Sequence, residues 1–122
     1  MSSKYLPVAF AASLALAGCQ RAPEQKVQVQ GTVTSVGFGL PVRDADVAIE
    51  WPIALGGGSS AVKTDQDGRF IAGRTLRVRT LDCKGLIITV RAPGFASAYN
   101  NSGEECPSGL LTADFKMLPI PG

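Results

Sequence analysis

The chain has 122 residues, of which 45% are hydrophobic and 18% are charged, and its formal net charge is +2. This composition excludes an intrinsically disordered chain and a small disulfide-dense scaffold, and the length suits one small domain. The small net charge predicts no nucleic-acid partner, and the absence of histidine removes the usual general base and a common zinc ligand.

The N-terminus has the layout of an export signal. Lys4 provides a positive start, residues 5–18 are mostly apolar, and Leu16-Ala17-Gly18-Cys19 closes the run with small residues and a cysteine. This ending resembles a bacterial lipobox, at which processing cuts before the cysteine and acylates it. A bilayer span needs about 20 apolar residues, so the run is too short to cross a membrane. We therefore predict a lipoprotein signal peptide over 1–18 and lipidation of Cys19, with an ordinary secretory signal as the alternative.

Residues 19–26 are polar after the cysteine and include Pro23, which predicts a lipidated tether. The residue that follows Cys19 is Gln20. In lipoproteins of two-membrane bacteria an aspartate at that position is an inner-membrane retention signal, so the resemblance implies outer-membrane sorting. The domain is then expected in the cell envelope, held at the membrane by lipid and either facing the periplasm or exposed at the surface.

The other two cysteines, Cys83 and Cys106, are predicted to form a disulfide. An odd count of three in an exported chain is explained if one cysteine carries lipid and two pair in an oxidising compartment. Closing this loop contributes roughly 3.4 kcal/mol on the chain-entropy model. With no histidine and no closely spaced cysteine pair, neither a metal site nor a cofactor is predicted.

After the tether, short stretches alternate apolar and polar residues with the period of a β-strand. Val27, Val29 and Val33 share one face of the first stretch, and Asp65-Gln66-Asp67-Gly68 is predicted to join a β-hairpin. No later segment has convincing helical periodicity. Seven or eight short strands in about one hundred residues indicate an antiparallel β-sandwich. Strands are predicted at 27–34, 46–51, 61–64, 69–72, 76–81, 86–90, 97–100 and 111–118.

Three stretches, in this order, resemble one family: Gly39-Leu40-Pro41-Val42-Arg43-Asp44-Ala45-Asp46-Val47, Thr64-Asp65-Gln66-Asp67-Gly68-Arg69-Phe70 and Ala92-Pro93-Gly94-Phe95. They are similar to the carboxypeptidase regulatory-like domains, which have a transthyretin-like (prealbumin-like) Greek-key sandwich. The resemblance covers 27–118 and leaves 119–122 as a C-terminal tail. It implies structural roles for these stretches, with Val47, Phe70 and Phe95 in the core, and carries no activity by itself.

Catalysis is not predicted from these residues. Without histidine, metallocarboxypeptidase chemistry and the chemistry of the transthyretin-related hydroxyisourate hydrolases are excluded. No pair of carboxylates stands out as an acid and a base, so the chain is predicted not to be an enzyme. A calcium loop is the alternative for Asp65 and Asp67, but an EF-hand register would put Lys63 and Arg74 at ligand positions.

One basic surface is a candidate contact. Arg77 and Arg79 share a strand face, and Arg91 has the outward phase of the next strand, so together they would form a stripe for lipid phosphates, lipopolysaccharide or acidic cell-wall polymer. A solvated outer face is the alternative.

The favoured function is a membrane-anchored, non-catalytic lipoprotein whose sandwich is a structural or protein-interaction module, with an envelope protein or cell-wall polymer as partner. One alternative is a small-ligand or glycan-binding module that would use Trp51, Tyr99 and Phe38. Another is an anchoring subunit of a secretion apparatus.

Overall fold

The computed structural model describes residues 21–102 and 106–121. The predicted signal peptide and the lipidation of Cys19 lie outside these residues. Within them, no helix is long and apolar enough to cross a membrane. The predicted β-sandwich is confirmed, since the described strands form two packed sheets. The strands are β1 (Glu24–Ser35), β2 (Asp46–Glu50), β3 (Ser59–Lys63), β4 (Arg69–Arg77), β5 (Leu86–Arg91), β6 (Ala98–Ser102), β7 (Leu110–Thr112) and β8 (Phe115–Met117).

Strand β1 organises the first sheet. It pairs antiparallel with β4 on one edge, whereas its other edge pairs in parallel with β7 and then with β8. The sandwich is therefore mixed and not purely antiparallel as predicted. The strand begins at Glu24, earlier than the predicted Val27, because residues 24–26 already pair with residues 75–77 of β4.

The second sheet has the order β3-β2-β5-β6 and is antiparallel throughout. Its strands show the predicted alternation, because Val47 and Ile49 of β2 are buried while their neighbours in the strand are exposed. The inner faces of both sheets form one core, as expected for two stacked sheets. Its most deeply buried side chains include Val27, Val29, Val33, Val47, Ile49, Leu55, Leu86, Ile88, Val90 and Met117.

The predicted hairpin around residues 65–68 is wrong. A tight turn does form there, since Asp65 donates its backbone N–H to the carbonyl of Arg69 at 2.9 Å. Its flanking strands do not pair, however, because β3 joins β2 in one sheet and β4 joins β1 in the other. The chain crosses between the sheets at this turn, which lets β3 and β4 cover the core from opposite sides.

The predicted strand at 111–118 is divided into β7 and β8 by Ala113 and Asp114. Its predicted apolar face is confirmed, because the side chains at 111, 113, 115 and 117 are all buried. At the interruption, Oδ1 of Asp114 accepts hydrogen bonds from the backbone N–H and the hydroxyl of Thr32, at 3.0 and 2.9 Å. The predicted strand at 76–81 is also different: β4 continues through its first two residues and ends at Arg77.

Candidate functional site

The two ends of the sandwich carry different chemistry. The N-terminal end contains the start of β1, where Glu24 pairs with Arg77, and the loops at 51–58 and 78–85. The distal end contains the finish of β1, where Ser35 pairs with Met117, together with the loops at 36–45, 64–68 and 92–97 and the tail from Leu118. Each predicted site residue within residues 21–102 and 106–121 falls at one of these ends or on a sheet face between them, whereas Cys19 lies outside the described residues.

At the N-terminal end, Cys83 and Cys106 form the predicted disulfide. Their Cα atoms are 5.5 Å apart and both side chains are buried. The bond links the β4–β5 connection to the segment that leads into β7. It therefore ties together two connecting segments that show little strand-like alternation in the sequence. The sequence contains one further cysteine, Cys19.

A second contact at this end fixes the Gly-rich loop. The guanidinium of Arg74 lies over the ring of Trp51, with Cζ 4.6 Å from the ring centroid. Its Nη1 donates to the carbonyls of Leu55 and Gly57 at 3.0 and 2.8 Å. Since Arg74 belongs to β4 and Trp51 follows β2, this contact joins the two sheets. Sequence patterning did not reveal it, because both residues resemble ordinary surface or core-edge positions.

The predicted basic stripe is not assembled. Arg77 lies on β4 in the first sheet and Arg91 lies on β5 in the second sheet, so they cannot share a face. The prediction assumed that the two strands were neighbours. Arg77 instead forms an exposed 3.5 Å ion pair with Glu24. Arg79 follows the end of β4 in the loop at the N-terminal end.

The three aromatic residues suggested for ligand binding are separated by burial and place. Trp51 is 4% exposed, and its indole N–H donates to the hydroxyl of Ser60 at 2.8 Å. Tyr99 is exposed on the edge strand β6, and Phe38 is 90% exposed in the loop after β1. Because Trp51 is buried, it does not form an exposed stacking surface together with Tyr99. The glycan-binding alternative therefore gains no support from these aromatic residues.

In the turn at 65–68, the carboxylate of Asp65 bonds to backbone. Its Oδ1 accepts from the N–H groups of Asp67 and Arg69, both at 2.9 Å. Gly68 has φ +73°, and a Cβ atom built there would collide with the carbonyl oxygen of Val33. These are the contacts of an Asx-type turn. Across the described residues, no cluster of three or more potential metal-binding side chains is found.

An open depression of about 440 Å³ lies on the outer face of the first sheet. Asp65, Arg69 and Asp114 line it together with Thr32 and Ile71. It offers carboxylate acceptors and a guanidinium donor, but the ring of Phe70 beneath it is buried. The depression can therefore hydrogen-bond a polar ligand but has no exposed ring on which a sugar could stack.

No family model matches the chain, and no curated protein matches it. Solved structures do match its fold. The 3-chlorocatechol 1,2-dioxygenase of Rhodococcus opacus 1CP is 12% identical, with a TM-score of 0.60 over 81% of this chain and 61% of the enzyme. The chlorocatechol 1,2-dioxygenase of Pseudomonas putida is 16% identical, with a TM-score of 0.57 over 78% of this chain and 61% of the enzyme. The chain thus spans less than two thirds of the enzymes that it resembles.

These neighbours contradict the prediction that the chain is not an enzyme. The hydroxyquinol 1,2-dioxygenase of Pseudomonas putida DLL-E4 also matches, with a TM-score of 0.55 at 14% identity over 78% of this chain and 57% of the enzyme. The sandwich is thus found within enzymes, so the absence of histidine and of a matched carboxylate pair was not a sufficient basis for excluding catalysis. At these identities the likeness shows the fold alone, and it transfers no reaction or substrate to this chain.

Proposed function

We propose that this chain is a bacterial lipoprotein, anchored through lipid on Cys19, whose β-sandwich is a structural or protein-interaction module of the cell envelope. The sandwich is proposed to be of the carboxypeptidase regulatory-like type that the three sequence stretches resemble. Gln20 after the cysteine supports an outer-membrane location for the proposed anchor, and an envelope protein or cell-wall polymer is the proposed partner.

The observation that carries this proposal is the division of the three cysteines. The disulfide between Cys83 and Cys106 uses two of them and suits an oxidising compartment. The third, Cys19, ends the apolar N-terminal run in the sequence Leu16-Ala17-Gly18-Cys19. If the chain is exported, the unpaired third cysteine needs an explanation, and acylation of Cys19 provides one.

The start of the folded domain supports the same proposal. β1 begins at Glu24, five residues after Cys19. Such a linker reaches about 17 Å at most, so acylation would hold the sandwich close to the membrane surface. A module in this position is suited to contacts with other envelope components.

The anchoring proposal is tested by metabolic labelling of bacteria that express the full chain with a clickable fatty acid. The wild-type chain is expected to be labelled, and Cys19→Ala is expected to lose the label. Cys83→Ala serves as the matched control, because it removes a cysteine that the structure places in a disulfide and should retain the label. Equal labelling of wild type and Cys19→Ala would defeat the proposal.

A further inference from the structure

The distal end of the sandwich exposes several large apolar side chains close together. Val36, Phe38 and Leu40 belong to the loop after β1, and Leu118 and Ile120 belong to the tail after β8, and all five are exposed. The two segments adjoin, because Val36 donates its N–H to the carbonyl of Met117 at 2.9 Å. We call these five residues the apolar tip. Exposed apolar side chains grouped at one end of a fold mark a candidate interaction site.

The loop that carries Phe38 is held in a defined shape. Ser35 donates its N–H to the carbonyl of Leu40 at 2.8 Å, and Gly39 donates to the carbonyl of Ser35 at 3.1 Å. Gly37 and Gly39 flank Phe38 with φ of +106° and +67°, and Cβ atoms built on them would meet nothing within 4 Å. The loop is thus a fixed turn that projects into open space and presents Phe38 at its apex.

We infer that the apolar tip inserts into the interface of a lipid bilayer. A projecting apex without a surrounding pocket suits a deformable apolar phase, whereas a protein partner would need a matching cavity. Residues 35–41 and 118–121 carry no charged side chain, so inserting these residues buries no ionised side chain of their own. Phenylalanine and leucine are also the side chains that proteins place at the boundary between headgroups and acyl chains.

The reach of the chain allows the tip to meet the bilayer that holds the anchor. This step rests on the proposed lipidation of Cys19. The linker to β1 extends at most about 17 Å and the 12-residue β1 spans about 40 Å. With β1 inclined by up to about 25° from the membrane plane and its distal end lower, the extended linker still reaches the surface that the tip enters. We therefore expect the domain to be inclined on the membrane, with its distal end lower than its N-terminal end.

The test places a tryptophan at the tip of the full chain. Phe38→Trp and, as a matched control, Ile53→Trp are each made in the complete protein and incorporated into phosphatidylethanolamine and phosphatidylglycerol vesicles with brominated acyl chains. Ile53 is 93% exposed at the N-terminal end, so the two positions differ in place and not in exposure. The native Trp51 is buried and is present in every variant, so its emission is subtracted as a constant.

If the tip inserts, the tryptophan in Phe38→Trp is quenched more strongly by bromine and emits at shorter wavelength than the tryptophan in Ile53→Trp. Quenching at position 38 that does not exceed quenching at position 53 would overturn the inference. A concentration-dependent dimer that Phe38→Ser dissociates, without quenching at position 38, would instead assign the tip to a second copy of the chain.

Vesicle flotation and fatty-acid labelling of Cys19→Ala together separate this inference from the proposed function. Since an inserted tip would float even an unacylated chain, anchoring is judged by the fatty-acid label: equal label on the wild type and on Cys19→Ala defeats the anchor, while quenching at position 38 still supports insertion of the tip. If Cys19→Ala no longer floats and Phe38→Trp is unquenched in the acylated chain, the anchor stands and the tip inference falls.

Discussion

The carbonyl oxygen of Ala113 occupies the space in which a side chain on Gly31 would have to lie, since a Cβ atom built on that glycine would overlap it. The same Cβ atom would lie only 2.9 Å from Cε2 of Phe70. Beside this contact, Ala113 donates its N–H to the carbonyl of Gln30 at 2.8 Å. The absent side chain at position 31 therefore lets β1 approach the junction of β7 and β8.

Replacing Gly31 with alanine is expected to lower the free energy of unfolding by about 2 to 3 kcal/mol, the scale of overpacking against atoms that cannot easily move. Urea unfolding followed by circular dichroism measures the change. Thr75→Ala, at an exposed position on the neighbouring strand, is the control and should change stability by less than about 0.5 kcal/mol. Equal stability of the two variants would show that the strand shifts to accept the methyl group.

A second prediction concerns the contact between Arg74 and Trp51. Arg74→Lys keeps the positive charge but loses the planar group over the ring and its paired donors. We expect a loss of about 1 to 3 kcal/mol in the free energy of unfolding. We also expect a changed emission spectrum, because Trp51 is the chain's single tryptophan.

Arg43→Lys is the control for this change, since Arg43 is exposed in the loop before β2. It should leave both the stability and the spectrum unaltered. If Arg74→Lys behaves in the same way, the contact contributes nothing to the join between the sheets.

A third prediction separates the two aspartates of the turn. Asp65→Ala should cost about 1 kcal/mol, because two backbone N–H groups lose their acceptor. Asp67→Ala should change stability by less than about 0.5 kcal/mol, as is usual for an exposed position.

Thermal unfolding with and without millimolar calcium completes this measurement. The turn assignment expects the same melting temperature in both conditions. A calcium-dependent rise that the double variant Asp65→Ala, Asp67→Ala abolishes would instead make the two aspartates ligands, since a ligand at 100 times its dissociation constant stabilises by about 2.7 kcal/mol.

Local pattern was enough to predict much of the fold. The alternation of Val27, Val29 and Val33 located β1, and the buried face of residues 111–117 was read correctly from the same period. The disulfide, which the structure contains, was predicted from the odd count of cysteines on the hypothesis that the chain is exported. Each of these inferences uses information held within one short segment or in the composition.

What could not be predicted depends on partners distant in the sequence. The residues at 65–68 are sufficient to predict a tight turn. They are not sufficient to predict whether the two flanking strands pair with each other or belong to different sheets. The basic stripe was wrong for this reason, because Arg77 and Arg91 were assigned to adjacent strands that belong to different sheets. The position of Arg74 over Trp51 likewise depends on how the finished sheets stack.

The pairing of β1 with the last two strands bears on how the chain is made. Thr32 and Asp114, joined by hydrogen bonds, are 82 residues apart, so the edge of β1 that pairs with β7 and β8 has no partner in either strand until residues beyond 110 have been synthesised. Closing contacts of such long range is slow, and an open strand edge is a template for intermolecular pairing. A chain that stops before Leu110 therefore cannot cover β1, and such truncated products are expected to aggregate or be degraded.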